Sequence, residues 1–132
     1  MTTIYDTVLA YLQADTDILG APCNTRVYLD VWYPDGYKKE DGACLVIAPR
    51  GGAGVTYDAV RNTVLLTRGF AETIEDAFAI DAAVLTAFRK TYNPANSSAF
   101  YAKCTISPDL RRDPGGIYVV SSQYDIGEVL SC

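Results

Sequence analysis

The chain has 132 residues and a formal net charge of −5, the size of one ordinary domain. Hydrophobic residues make up 49% and charged residues 20%, which excludes a disordered acidic tail. Asp plus Glu outnumber Lys plus Arg by 16 to 11, which argues against a nucleic-acid binder held by a phosphate-neutralising face.

The N-terminal stretch MTTIYDTVLAYLQADTD has no basic leader and carries Asp6, Asp15 and Asp17, so it does not read as a signal peptide. The expectation is a protein used without secretion. The stretch reads instead as a helix, with Thr2 or Thr3 as N-cap and Ile4, Val8 and Leu12 on one face. Ala14 to Thr25 is rich in Asp, Gly and Pro, and Ile18 and Leu19 within it predict a short turn pinned to the core.

Arg26 to Tyr33 alternates Val27, Leu29, Val31 and Tyr33 with Tyr28, Asp30 and Trp32, the period of a strand. The polar run Pro34 to Gly42 predicts a long hairpin loop. Ala43 to Ala48 is almost wholly apolar, so it should be a central strand buried on both faces. Pro49 is expected to stop it, leaving Arg50 to Gly54 (RGGAG) flexible.

Asn62 to Ala71 predicts a third strand around Val64, Leu65 and Leu66. Thr73 is a good N-cap for a second long helix, with Glu75 and Asp76 favourably placed in its first turn. That helix should run to about Tyr92 and end before Asn93-Pro94. Its predicted apolar stripe is Ile74, Ala77, Phe78, Val84, Leu85 and Phe88, within about a 120° arc. Asp81 falls inside that arc. It is expected to be wet or paired with an Arg, or else to make a specific polar contact with another subunit.

Phe100, Ala102, Cys104 and Ile106 alternate with polar residues, a half-buried strand, and Ser107 to Gly116 (SPDLRRDPGG) reads as a long loop. The last strand places Tyr118, Val120, Ser122, Tyr124 and Ile126 on one face. The predicted order is α-β-β-β-α-β-β. The fold class is α+β: an antiparallel or mixed sheet of about five strands with two helices packed on one face. Residues 1–132 form a single domain, with no repeat, linker or low-complexity tract. No apolar run approaches the roughly 18 residues of a membrane-spanning helix.

Chemistry is thinly represented. No His occurs, which removes the Ser-His-Asp and Cys-His pairs, His-ligated metals and imidazole acid–base work. PRGGAG lacks the Lys-Ser/Thr ending of a phosphate-binding P-loop, and no helix follows it directly. Asp15 with Asp17, or Glu72, Glu75 and Asp76, have no EF-hand spacing, and acids at a helix start are expected for dipole reasons. Cys23, Cys44, Cys104 and Cys132 form no CxxC pair, and Cys44 and Cys104 read as small buried hydrophobes. All cysteines are expected to be unbridged. The residues suited to contacts are the aromatics Trp32, Tyr33 and Tyr37, the loop residue Arg50, Asp81, and the charged run Asp109, Arg111, Arg112 and Asp113.

The run Arg61 to Ala71, with its Arg68-Gly69 step, followed by the Ala-rich helix TIEDAFAIDAAVLTAF, resembles the core of tail terminator proteins of long-tailed bacteriophages, also described as tail completion or minor capsid proteins. The N-terminal TVLAYLQADTDI and the closing IYVVSSQYDI are similar to the family's first helix and last strand. The resemblance implies a structural virion protein and no enzyme. It implies a ring, usually of six copies, at the head-proximal end of the tail tube, assembled in the host cytoplasm. Such a ring caps tube growth, meets the tail tube protein and the head connector or stopper, and lets genomic DNA pass without sequence-specific binding. It needs no cofactor and no membrane. The competing expectations are another neck component, a head–tail adaptor or head-closure protein, and a small hydrolase working through paired carboxylates.

Overall fold

The computed structural model describes residues 4–29, 42–55, 60–92, 100–112 and 115–129. Helix α1 spans Ile4–Ala14 and buries Val8 and Leu12 completely, as a spacing of four on one face requires. Asp15 ends α1 and caps the one-turn helix α2, Thr16–Leu19. Its carboxylate accepts the backbone N–H groups of Asp17 and Ile18, at 2.9 and 3.3 Å. This cap turns Ile18 fully into the core and leaves Leu19 exposed.

Among the described residues five strands form one mixed sheet: β1 (Val27–Leu29), β2 (Cys44–Val55), β3 (Val60–Ala71), β4 (Phe100–Arg112) and β5 (Tyr118–Val129), ordered β1-β2-β3-β5-β4. The strand β1 runs parallel to β2, with Val27 beside Leu45 and Leu29 beside Ile47. Parallel neighbours cannot be the two arms of one hairpin, which corrects the expected pairing of these two strands, and the predicted loop lies outside the described residues apart from Gly42. Cys44 to Ala48 is buried throughout, as its apolar run predicts, and Leu45 to Ile47 pair with strands on both sides.

Pro49 does not stop β2, and RGGAG is strand, not a flexible tip. The pairing with β3 continues to Val55 through register shifts at Gly52 and Gly54. Pro49 lies opposite Leu65 of β3, and among the described residues no strand pairs with its other side, a position that proline tolerates. On the far side of the sheet, β4 continues through the predicted Ser107–Gly116 loop as far as Arg112. Two register shifts, between Cys104 and Ile106 and between Ile106 and Asp109, absorb Pro108 in a strand that pairs on one side only among the described residues.

Helix α3 spans Ile74–Arg89 and passes into a 3-10 turn at Lys90–Tyr92. Thr73 caps it through the Asp76 N–H at 3.2 Å, with Glu75 and Asp76 in the first turn. Its buried face is Ala77, Ile80, Asp81, Val84, Ala87 and Phe88, a three-four repeat. The predicted stripe is corrected by one edge. Ile74 and Phe78 stand 39% and 40% exposed, while Ile80 and Ala87 turn inward. Composition made both arcs apolar, and the sheet surface selects between them.

Gly69 explains how closely α3 approaches the sheet. A side-chain carbon there would lie 2.9 Å from Ile80 Cγ2 and 3.3 Å from the Ala77 carbonyl oxygen. Only glycine leaves room for that turn of α3.

Side chains from all three helices join Val27, Leu45, Ile47, Leu65, Val120, Tyr124 and Ile126 in one cluster. Edge-to-face contacts of Phe88 with Tyr124 and Phe100, with centroids 4.7 and 6.3 Å apart, sit within it. The opposite sheet face holds a smaller buried cluster of Cys44, Val46, Phe70, Ile117 and Val119. The class is thus α+β, in the expected order with α2 added. No described helix is long and apolar enough to cross a membrane.

Candidate functional site

Asp81 lies in the middle of the buried face of α3 and is 7% exposed. Its partner among the described residues is a serine, where an Arg is one expectation. Ser122, on the core face of β5, donates its hydroxyl to Asp81 Oδ1 at 2.6 Å. Thr67, which pairs with Ser122 across β3 and β5, donates to the Ser122 carbonyl at 3.4 Å. Burial pushes the Asp81 carboxyl above its usual range, and the Ser122 hydrogen bond opposes this. Tyr124, two residues along the same face, is also pushed up, first by burial and then by the Asp81 charge. The geometry turns Asp81 toward its own sheet, so it is placed as an internal polar joint and not as an outward contact.

A second polar joint closes the other end of α3. Lys90 Nζ reaches Asp15 Oδ2 at 3.0 Å and Asp17 Oδ2 at 2.5 Å. The hydrogen bonds that Lys90 donates to Asp17 and Asp15 hold the pKa of its ammonium above the ordinary value. The two acids weighed as a cation site are therefore occupied by a lysine. Tyr11 extends the clamp by donating to the Ala87 carbonyl at 2.6 Å. Glu72, Glu75 and Asp76 are exposed around the start of α3. Among the described residues no group of three or more His, Cys, Asp or Glu could hold a metal ion.

The exposed chemistry gathers on β4. Asp109, Leu110, Arg111 and Arg112 are all exposed, and they lie opposite Ser121, Val120, Val119 and Tyr118 in unbroken register. Alternation puts Asp109 and Arg111 on one face of the strand. There Arg111 Nε donates to Asp109 Oδ2 at 2.9 Å. Arg112 stands on the other face, its guanidinium carbon 5.7 Å from the Tyr118 ring centroid. A run read as a loop tip is in fact a regular strand edge with a fixed charge pattern.

Trp32, Tyr33, Tyr37 and Asp113 lie outside the described residues, and Arg50 is placed only as a backbone position in β2. Cys23, Cys44 and Cys104 are not joined in disulfides. Cys104 is exposed, correcting the expectation of burial, because it sits at the first register shift on an edge strand. Burial pushes the Cys23 thiol up to about 11, so it is chemically inert at neutral pH.

Sequence reasoning missed Ser122, Thr67, Lys90 and Leu110. The first three act across 41 to 75 residues of chain, and no local pattern marks such pairings. Leu110 carried a signal, since a lone Leu between Asp109 and Arg111 has the period of a strand. In comparisons with known proteins, no family model matches this chain and no curated protein matches its sequence.

Proposed function

We propose that this chain is a ring-forming virion protein of a long-tailed phage, acting as a tail terminator. In this reading about six copies encircle the head-proximal end of the tail tube, stop its polymerisation and present a surface to the head connector or stopper. Genomic DNA passes through the lumen, where an acidic protein, net charge −5, repels phosphate. No residue is assigned a catalytic role and no cofactor takes part.

The observation that carries the reading is the division of labour among the described polar groups. Asp81 and Asp15 are buried and partnered by Ser122 and Lys90, and the exposed Asp17 is paired with the same lysine. The charged run Asp109, Arg111 and Arg112 on β4 is turned outward. A protein that works by contact needs an inert interior and a patterned rim. The resemblance supplies the setting, and Gly69 gives its Arg-Gly step a physical reason, the close seating of α3. Of the acids weighed as a pair, Asp15 and Asp17 are both neutralised by Lys90, which disfavours their use in the carboxylate-hydrolase alternative.

The test is electron microscopy of tail tubes incubated with the purified, gold-labelled protein. Label at one end of the tube, with tube length capped, is the expected result. Label along the tube or in the head, with elongation unaffected, overturns the proposal.

A further inference from the structure

The outer edge of β4 has the charge pattern of a surface that fits its own copy. Two identical strands paired antiparallel about a two-fold axis at Leu110 bring Leu110 against Leu110. In the same register Asp109 of each copy faces Arg111 of the other, on both sides of the axis. Arg112 then faces Pro108, so no like charges oppose each other within Pro108 to Arg112. A shift of register by one residue destroys this match, and puts Leu110 opposite a charged residue.

Several observations select this stretch and this occupant. Among the described residues β4 pairs with β5 alone, so its other side is an open edge. Two register shifts separate the continuous run Asp109 to Arg112 from the earlier run Phe100 to Cys104, so the charged stretch forms a regular segment of its own. Leu110 is 39% exposed, an apolar side chain amid charges at the centre of the stretch. The Asp109–Arg111 pair already lies on one face in a single copy, with side-chain exposures of 55% and 77%. Bringing two such pairs together makes a square of alternating charges in place of two isolated ones. Charged edges commonly repel pairing. Here the signs alternate about a centre, so the pattern admits one partner and rejects offset ones.

We infer that the free protein associates through β4 as a two-fold dimer whose axis passes beside Leu110, joining two five-stranded sheets into one. This goes beyond the ring reading. A two-fold contact is self-complementary and closes at two copies, whereas a ring is built from head-to-tail contacts.

The experiment is sedimentation analysis of the full chain over a range of concentrations. The expected result is a concentration-dependent monomer–dimer equilibrium. Asp109→Arg replaces both cross-strand attractions by repulsions and should weaken the dimer roughly tenfold or more. The charge swap Asp109→Arg with Arg111→Asp should restore it, because each copy again offers opposite signs across the axis. A monomer at every concentration overturns the inference. So does a dimer indifferent to Asp109→Arg, or one that the swap fails to rescue. As an independent readout, Leu110→Cys in a Cys104→Ser background should give a disulfide-linked dimer on mild oxidation, since facing residues in an antiparallel pair lie within disulfide reach. Absence of that link overturns the proposed register. Failure of either test leaves the tube-labelling result untouched, so the two readings fall separately.

Discussion

The surface beneath α3 and the outer edge of β4 are built from the same sheet but treat polar groups in opposite ways. Under α3, Asp81, Ser122 and Thr67 form a closed chain of partners among Ile80, Val84 and Val120, all fully buried. On β4, Asp109, Arg111 and Arg112 remain in water, where each contact is weak and exchangeable. Buried polar groups fix one arrangement because leaving one unpaired is costly. Exposed ones cost little to rearrange, which suits a surface that must meet a partner.

The largest break of this comparison comes from filling the space at Gly69. Gly69→Val should push α3 off β3 through Ile80 and the Ala77 carbonyl, costing at least about 3 kcal/mol. A drop in urea midpoint together with lost near-ultraviolet dichroism would record it. Phe88→Ala removes a ring packed against Tyr124 and Phe100 and should cost about 3–5 kcal/mol by the same unfolding measurement.

Asp81→Asn sharpens the contrast through pH. The folded carboxyl sits above its unfolded value, chiefly because burial disfavours its charge. Ionisation is therefore harder in the fold. The stability linked to this group is fully present below the unfolded value, near 3.9. It declines as pH rises from there through the raised folded value, and then levels off. Asn keeps an acceptor for Ser122 without a charge. The variant should be more stable than the parent at pH 7 and lose that advantage near pH 4, in unfolding curves collected across the range.

Lys90→Met removes the partly exposed clamp on Asp15 and Asp17 and should cost about 1 kcal/mol or less, the loss shrinking in high salt. The smallest effect on folding belongs to the β4 edge. Asp109→Arg should shift the unfolding midpoint by less than about 0.5 kcal/mol while altering association. A large loss of stability there would erase the distinction between the two regions.

The reading of the chain succeeded where one short stretch decides its own state. The Ile4, Val8 and Leu12 spacing, the Thr73 cap and the apolar run of β2 each carry their structure in neighbouring residues. It failed at Pro49 and at SPDLRR, where turn-like residues sit in strands. Proline is excluded from a ladder only when both sides are paired, and both positions have an open side among the described residues. The candidate contacts followed the same rule. Their chemistry was plain in Asp109, Arg111 and Arg112, but their presentation as a regular edge was not.

Sequence by itself determined the α+β class, the two long amphipathic helices, the central place of β2 and the poverty of reactive groups, because composition and periodicity are local properties. Tertiary structure alone decided the parallel pairing of β1 with β2, the face α3 turns inward, the partners of Asp81 and Lys90, and the edge that β4 leaves open among the described residues. Each of these is a contact between segments distant in the chain, selected by which surfaces meet when the sheet closes under its helices.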